Sequence, residues 1–570
     1  MAARKSNLSG PAYGYDVVFA TTQKSINAIM KAYLKSLEST PTRVYYINKV
    51  LNGDVEIIEP VAASQEEVLK LTGGFDPLDL TQSLPPGDSR AQSLASAGFL
   101  SAFEVEFGIP PQYFDSARIP DIIRLNAYID RIDFTMLCKS FKIIDIEDSG
   151  RYGVPRVNVF SQPTDPSGRP FLIESNMDLR MERYPGEHKN LPKPVQTAMQ
   201  DLQNSAFTIQ QFGLVLDSAR LKNAFETDGL DRSSTAAQQI SKWFVDAYTA
   251  EMRKKGEPIL GYLIQQRPQE LSVKPTDSMF MTQPLLEGDH GRPIRAPSKE
   301  QNDLFTLNCL CATDEHPLSP PKQFEWNWMN SEDAGRFDGI IAMRRETLAR
   351  WFVQQILPLA EAECFTPQVR VNAKNFPDYG CDYGVTADER IDITFTRPNA
   401  PDPEVIKLSW YNEAYDSAGL DGVIGSLKVR NQYDATIRFE GNRVIVRTDG
   451  RIYLEIKNMQ SRDSGNICHQ VYDDVYTFNN NSQGGVNITY TSSQKDFSQN
   501  GSNNWLSELS ADDNAWLQWL RQRRFTTRQI QRFPIFDLQE IYFPGGRTFA
   551  FKECYFSDNQ DLIAGITYSA

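Results

Sequence analysis

Residues 437–456 have the sequence IRFEGNRVIVRTDGRIYLEI. Apolar side chains alternate with polar ones in three runs, and the segments 440–442 (EGN) and 449–450 (DG) between the runs contain residues that favour turns. Strict alternation is typical of antiparallel strands with one dry face and one wet face. The pattern therefore predicts a meander of short strands with turns at both segments.

Three other stretches have apolar residues at the spacing of one helix face. Thr21 or Thr22 precedes the first stretch and is suited to cap a helix through its hydroxyl. The apolar positions are Ile26, Ile29, Met30, Tyr33, Leu34 and Leu37; then Ala236, Ile240, Trp243, Phe244, Ala247, Tyr248 and Met252; then Leu348, Trp351, Phe352, Ile356, Leu357 and Ala360. Few helices among many strands predict an α+β protein with antiparallel sheet. Residues 479–504 are rich in Asn, Ser and Gly and predict a loop.

Composition limits the classes of function. The chain has 570 residues and a net charge of -14, so we expect two or more domains and no general binding of nucleic acid. A basic cluster (Arg521, Arg523, Arg524, Arg528 and Arg532) lies beside Trp516, Trp519 and Phe525. It suits either contact with acidic headgroups or, as we favour, a solvated helix face.

Cysteine usage and apolar runs indicate the compartment. The seven cysteines are scattered and form no CxxC motif, which favours a reducing environment. Residues 1–10 are polar and contain no apolar core of a signal peptide, and no apolar run reaches about 18 residues. We expect a cytoplasmic protein, or one released by a route without a classical signal peptide, with no transmembrane segment.

The sequence contains no recognisable catalytic, nucleotide-binding or metal-binding motif, so we expect no cofactor and no metal, and favour a protein that is not an enzyme. Cys468 and His469 are a weak nucleophile–base pair because adjacent side chains rarely face each other. Cys309 and Cys311 lie on one face of a predicted strand; a soft metal site is one interpretation, and two buried thiols is the favoured one. An active site assembled from distant residues stays open.

Two segments resemble one family. Residues 13–20 (YGYDVVFA) lead into the first helical stretch, and residues 339–343 (GIIAM) precede the third, which ends in 355–358 (QILP). This order resembles the OrfX and P-forty-seven proteins encoded beside clostridial neurotoxins. The resemblance covers roughly residues 13–460 with gaps. Tyr15 stands where the family usually has Trp, and nothing beyond about residue 460 matches.

The resemblance implies a TULIP (tubular lipid-binding) fold, in which long curved antiparallel sheets wrap long amphipathic helices in an elongated molecule. It implies a first module at residues 1–230, a second module or a continuation of the first at residues 231–460, and strands and a helix at residues 461–570 that complete the sheet. It also implies a groove for a lipid or another hydrophobic ligand. Within the stripes we expect ligand contacts from Met30, Tyr33, Trp243, Phe244, Trp351, Phe352 and Ile356.

Three functions remain open at this stage. The first is binding of a lipid or other hydrophobic molecule, as an accessory protein associated with a toxin or with secretion. The second is a protein-interaction component that binds no lipid, with partners encoded nearby. The third is an enzyme acting on a hydrophobic small molecule inside a tunnel. Peripheral contact with a membrane is compatible with each.

Overall fold

The computed structural model of the chain describes most residues between 2 and 568. The described residues are 2–35, 40–51, 57–114, 119–126, 131–148, 153–163, 170–184, 186, 191, 193–201, 207–221, 235–255, 259–266, 273, 275–288, 291–313, 317–374, 377–388, 391, 393–459, 461–480, 485–499, 515–525, 529–530, 533–535, 541–542 and 548–568. Strand accounts for 51% and helix for 22% of the structure.

The strands are, in chain order, β1 (Val17–Thr22), β2 (Thr42–Leu51), β3 (Ile57–Ala63), β4 (Phe99–Phe107), β5 (Ile123–Leu125), β6 (Arg131–Asp148), β7 (Pro155–Ser161), β8 (Leu172–Arg183), β9 (Phe207–Leu221), β10 (Ile259–Gln266), β11 (Asp277–Gln283), β12 (Leu286–Glu287), β13 (Arg292–Pro293), β14 (Thr306–Ala312), β15 (Gly339–Met343), β16 (Thr366–Lys374), β17 (Gly380–Asp388), β18 (Thr394–Thr396), β19 (Glu404–Leu420), β20 (Val423–Glu440), β21 (Arg443–Asn458), β22 (Ser461–Asn480), β23 (Val486–Asp496), β24 (Ile541–Tyr542), β25 (Phe549–Phe556) and β26 (Leu562–Tyr568).

The α-helices are α1 (Gln23–Lys35), α2 (Gln65–Leu71), α3 (Ser89–Ser96), α4 (Lys193–Asp201), α5 (Thr235–Lys255), α6 (Lys299–Asn302), α7 (Arg345–Glu363) and α8 (Ala515–Gln522). Short 3-10 helices lie at Ala2–Lys5, Pro77–Asp79 and Pro111–Tyr113. The first predicted helix is confirmed as α1 for the stripe from Ile26 to Leu34, and Leu37 lies outside the described residues. The backbone N–H of Ser25 donates to the Thr22 hydroxyl at 3.3 Å, so Thr22 supplies the predicted cap.

The central sheet has the strand order β11-β14-β1-β15-β26-β25, with antiparallel pairs throughout. It combines β1, close to the N-terminus, with β26, close to the C-terminus. Every residue of β1, β14 and β15 is buried, so both faces of the sheet are covered.

The N-terminal sheet has ten strands in the main order β24-β10-β9-β8-β6-β4-β2-β3, with β5 and β7 also paired to β6. Its two faces pack in different clusters, because Ile143 and Ile144 are consecutive residues of β6 that point in opposite directions. Helix α5 covers the face of Ile143. Helices α2 and α3 cover the face of Ile144 through Val68 and Leu94.

The C-terminal sheet is the meander β18-β19-β20-β21-β22-β23. In β20 and β21 buried residues alternate with half-buried and exposed ones, which confirms the predicted wet and dry faces. The turn at 440–442 is also confirmed, with Gly441 at φ +62°. The predicted turn at 449–450 is wrong, because β21 continues through it. A Cβ on Gly450 would overlap the ring of Phe525, so this glycine permits a close approach instead of a turn.

The loop predicted over residues 479–504 is also wrong in part. Residues 486–496 form β23, which pairs with β22 from Asn480 to Gln470. The side chains of β23 are mostly exposed, so its composition reflects an edge strand in contact with solvent. Val486, Ile488 and Tyr490 of this strand are residue types with high β-propensity, which the Asn/Ser/Gly-rich composition of the whole segment concealed.

The expected fold, long curved sheets wrapped around long amphipathic helices, is wrong. The structure is dominated by antiparallel strands, and its helices are short. Strand β22 has 20 residues and spans roughly 66 Å at about 3.3 Å per residue, whereas α5, with 21 residues, spans only about 32 Å. Helix α7 is not amphipathic in the expected sense, because Arg345, Thr347 and Val353 are buried together with the apolar stripe.

Among the described residues, no helix has both the length and the apolar character needed to cross a bilayer. The division of the chain at residues 230 and 460 stays a prediction.

Candidate ligand cleft between the central and C-terminal sheets

The structure distributes the seven expected ligand contacts between two places. Met30 and Tyr33 lie on α1, and burial raises the pKa of the Tyr33 phenol to about 12. Trp243 and Phe244 lie on α5 against the N-terminal sheet, where the Trp243 ring is 5.0 Å from that of Phe103. These four residues therefore lie with the N-terminal half of the fold.

The other three expected contacts lie on α7. Trp351, Phe352 and Ile356 are buried, with 6%, 0% and 8% of their surface exposed. The ring of Trp351 packs edge-on against Phe352 at 5.1 Å and lies 5.9 Å from Phe533. Helix α7 packs against β19, so these side chains lie beside the C-terminal sheet.

Phe352 belongs to a closed circuit of five rings, here called the five-Phe cluster: Phe352, Phe439, Phe556, Phe478 and Phe533. Successive ring centroids are 5.9, 4.6, 6.2, 5.2 and 5.5 Å apart around the circuit. Phe439 and Phe556 are almost parallel, with an angle of 11° between their planes. The cluster joins α7, the C-terminal sheet and the end of β25 in one aromatic contact.

An open cleft of about 690 Å³ lies over three members of this cluster, Phe439, Phe478 and Phe556. Its walls are the β20–β21 turn, the end of β22 and the residues that follow β25. Two backbone hydrogen bonds hold these walls together: the Phe556 N–H donates to the Gly441 carbonyl at 2.6 Å, and the Phe478 N–H donates to the Asn442 carbonyl at 2.9 Å. The cleft thus lies where the central and C-terminal sheets meet.

Charged groups line the mouth of the cleft, namely Arg4, Glu440, Glu553 and Asp558. Glu553 is paired with Arg336, and Glu440 lies 3.9 Å from Arg443. The Asp558 N–H donates to the Arg4 carbonyl at 2.8 Å, which fixes the N-terminal segment at the mouth. The lining of the cleft is more polar than apolar, and its apolar part comes mainly from Phe439, Phe478, Phe556 and Pro403.

A buried charged network supports the same junction. Asp561, completely buried just before β26, accepts hydrogen bonds from the Ser6 hydroxyl and from the N–H groups of Leu8 and Arg345. Burial raises the pKa of Asp561 to about 6, against the opposite effect of these hydrogen bonds. The network therefore ties the N-terminus to the first turn of α7.

The Arg345 side chain carries this support into the C-terminal sheet. Its guanidinium donates to the carbonyls of Pro398 and Glu404 at 2.6 and 3.0 Å, and to Oε1 of Gln560 at 2.7 Å. Gln560 lines the cleft, so Arg345 positions one wall of it.

No family model matches the sequence, and a search of curated proteins found no match. Among solved structures, P47 of Clostridium botulinum E1 aligns over 98% of this chain and 100% of its own, with 9% identity and a TM-score of 0.41. A lipopolysaccharide binding protein aligns over 98% and 99%, with 8% identity and a TM-score of 0.24. The name P47 is that of the P-forty-seven family, to which residues 13–20 are similar. At these scores neither similarity assigns a ligand, and the argument for function depends on the residues of this chain.

The cleft offers no activated thiol. Cys554 lies in its wall, and burial raises the pKa of this thiol far above neutral pH. The Cys468–His469 pair fails as a nucleophile and base, because the Cys468 thiol faces the Arg523 carbonyl at 3.4 Å while His469 pairs with Asp449 at 3.2 Å. Burial also raises the pKa of Cys468 to about 11.

Two further sequence interpretations concern other parts of the fold. Cys309 and Cys311 do lie on one face of β14, with their sulfur atoms 3.7 Å apart, and both are buried. In the basic cluster, Arg523 lies 3.8 Å from Glu363 and covers the Trp519 ring at 4.5 Å, so this cation packs within the protein. Arg528 and Arg532 lie outside the described residues.

Sequence reasoning missed four members of the five-Phe cluster. Phe439 was assigned only to the dry face of a strand, and Phe478, Phe533 and Phe556 were not singled out. Their positions extend over more than a hundred residues of chain and share no local spacing. They come together where the end of β25 in the central sheet packs against β20 and β22 of the C-terminal sheet.

Proposed function

We propose that the protein binds an amphipathic hydrophobic ligand, such as a lipid, in the cleft between the central and C-terminal sheets. The observation that carries this proposal is the continuity between the cleft floor and the buried five-Phe cluster. The polar part of the ligand lies at the mouth beside Arg4, Glu440 and Glu553. Its apolar part lies on Phe439, Phe478 and Phe556.

The size of the cleft supports the proposal. A volume of about 690 Å³ lies within the range of roughly 300–1,000 Å³ that is usual for sites of small ligands. Phe556 and Phe478 are 6% and 3% exposed, so an apolar chain enters by displacing these rings from their contacts with Phe439 and Phe533. Rings at the floor then move apart, and Phe352 becomes the inner wall of the site.

Helix α7 supplies the deeper contacts in this proposal. Phe352 belongs to the five-Phe cluster, and Trp351 packs against the rings of Phe352 and Phe533. Each methylene group of a ligand buried there contributes about 0.8 kcal/mol. Met30, Tyr33, Trp243 and Phe244 stay proposed contacts for a ligand that also reaches α1 and α5.

The test is native mass spectrometry of the purified full chain, followed by organic extraction and lipid analysis. We expect an amphipathic lipid in near-stoichiometric amount. Asn480→Trp, at the cleft, should lower the occupancy, because the indole fills the mouth. Gln494→Trp is the matched control, since Gln494 is also exposed, lies on the adjoining strand opposite Tyr472, and does not line the cleft.

Equal occupancy in the two tryptophan variants would place the ligand elsewhere. Phe352→Ala on α7 and Phe244→Ala on α5 then show which of the two helices contacts the ligand. The two variants are comparable because both rings are completely or almost completely buried. A mass free of ligand, with no uptake from phosphatidylcholine vesicles, would contradict the proposal. It would favour the interaction-protein alternative, for which co-elution with a protein encoded nearby is the next measurement.

A further inference from the structure

Two buried polar side chains face each other across β4 and β6 of the N-terminal sheet. Ser101 and Asp145 are directly paired, so both lie on the face of the sheet that carries Ile143. They are 0% and 6% exposed. Among the described residues, the Ser101 hydroxyl has no hydrogen-bond partner, so it does not bond to Asp145 either. A buried hydroxyl without a partner in the chain indicates a partner from outside it, such as water or an ion.

Two more side chains with oxygen atoms lie on the same face. Glu147 follows Asp145 by two residues on β6, and Asn158 on β7 is directly opposite Asp145. The Asn158 Nδ2 donates to Oε2 of Glu147 at 3.3 Å, which leaves the amide oxygen of Asn158 for another partner. Glu147 is exposed whereas Asp145 is buried, so the set of oxygen atoms extends from solvent into the sheet.

The two carboxylates of this set lie close enough to interact. Burial and then the negative charge of Glu147 raise the pKa of Asp145 to about 7. Two carboxylates that share a site repel each other when both are ionised. A divalent cation between them replaces this repulsion by attraction to both.

We propose that Ser101, Asp145, Glu147 and Asn158 form a binding site for Ca²⁺, here called the three-strand site. Ca²⁺ binds carboxylate, amide and water oxygens at about 2.3–2.6 Å in flexible geometry, whereas Mg²⁺ demands a nearly ideal octahedron. An ion at that distance from two oxygen atoms bridges a gap of up to about 5 Å, which suits two facing side chains that do not hydrogen-bond to each other. This inference is independent of the ligand cleft, which lies between the other two sheets.

The composition of the three-strand site limits its affinity. The described residues contain no group of three or more His, Cys, Asp or Glu side chains placed to hold a metal ion. With two carboxylates, a hydroxyl, an amide and water as ligands, we expect a Kd of roughly 10⁻⁴–10⁻³ M. The ligands come from three strands, which is why no local sequence motif predicted a metal.

One cationic side chain competes with the ion. Arg156 on β7 is directly opposite Glu147 and is exposed. Its guanidinium attracts the Glu147 carboxylate and repels a bound cation. Arg156→Gln should therefore strengthen binding of Ca²⁺, whereas loss of a carboxylate should weaken it.

The test is titration of the full chain with Tb³⁺ at about pH 8, where Asp145 is ionised, followed by displacement with Ca²⁺ or Mg²⁺. Tyr46 is directly opposite Ser101 and can sensitise the Tb³⁺ emission. We expect saturable emission that Ca²⁺ reverses at lower concentration than Mg²⁺. Asp145→Asn and Glu147→Gln should each weaken binding at least about tenfold, because affinity depends on the charge of the ligands.

The matched control is the double variant Glu104→Gln, Glu106→Gln. These carboxylates have the same spacing on β4 but are paired with Arg43 and Lys139, so their loss should leave binding unchanged. An equal loss in the control would show general attraction to an acidic surface and would overturn the proposal. Absence of binding that Ca²⁺ reverses, tighter binding of Mg²⁺, or unchanged affinity in the variants at Asp145 and Glu147 would also overturn it.

Folding of each variant is checked by circular dichroism. If Asp145→Asn does not fold, the exposed positions Glu147 and Arg156 still test the proposal, because their substitutions should change the affinity in opposite directions. A change in the same direction at both positions would contradict the three-strand site.

Discussion

The central and C-terminal sheets differ in how their strands meet solvent. In β14 all seven residues are buried, whereas in β21 the buried positions alternate with half-buried and exposed ones. The difference shows that the pattern of buried residues along a strand indicates which faces of the sheet are covered, in addition to indicating that a strand is present. The candidate cleft lies where the two sheets meet. At this place the sheet covered on both faces gives way to the sheet with one exposed face.

The largest expected effect tests this difference directly. Leu307 and Leu310 lie on opposite faces of β14 and are 1% and 0% exposed. Truncating either to Ala should lower the free energy of unfolding by roughly 2–5 kcal/mol, because each leaves a cavity.

In β21 two equivalent substitutions should have different effects on the free energy of unfolding. Leu454→Ala on the dry face should cost a similar roughly 2–5 kcal/mol, and Tyr453→Ala on the wet face less than about 1 kcal/mol. Urea denaturation followed by circular dichroism measures each value. Similar losses at Leu454 and Tyr453, or tolerance of one leucine in β14, would contradict the assignment of covered faces.

The next effect sharpens the comparison at the boundary between the sheets, where Asp561 is buried with a pKa raised to about 6. The folded state therefore favours the protonated acid. The contribution of this group is most favourable below about pH 4, falls as the pH rises to about 6, and is constant above that. One pKa unit corresponds to about 1.4 kcal/mol, so the total change is roughly 1–3 kcal/mol.

Asp561→Asn removes this titration. The difference in unfolding free energy between the variant and the unmodified chain should therefore move in favour of the variant as the pH rises from 4 to 6. Thermal unfolding of both proteins at several pH values measures it. A difference that is constant over this range would show that the Asp561 carboxyl does not titrate in the folded state as assigned.

The smallest effect concerns the wet face of the C-terminal sheet. Arg430 donates to Glu413 at 2.8 and 3.0 Å and lies over the rings of Tyr411 and Tyr453 at 5.5 and 5.3 Å. A double-mutant cycle with Arg430→Met and Glu413→Gln should give a coupling below about 1 kcal/mol, because the pair is partly exposed and screened. A coupling of several kcal/mol would indicate that this face is covered in the native protein.

Part of the fold could be predicted because its signals are local. The alternation in residues 437–456 predicts the meander, and the spacing of Leu348, Trp351 and Phe352 predicts α7. The same local rules misplaced the turn at Gly450, since a glycine looks alike in a turn and under an aromatic ring. They also gave no sign that the residues of α7 outside the apolar stripe would be buried.

The candidate site depended on information that no local pattern carries. Phe352 could be singled out as an apolar residue on a helix, but its ring partners come from β20, β22, β25 and residue 533. Arg345, the first residue of α7, lies outside the predicted apolar stripe, and its contact with Gln560 depends on strands far away in sequence.

The sequence by itself determined the periodicities of strand and helix, the acidic balance and the apolar stripes, because each is a property of neighbouring residues. The tertiary structure alone decided which faces were covered, how Asp561 came to be buried, and that five phenylalanines would gather in one cluster. The physical reason is that burial is a property of the space around a residue, and long-range strand pairing determines that space.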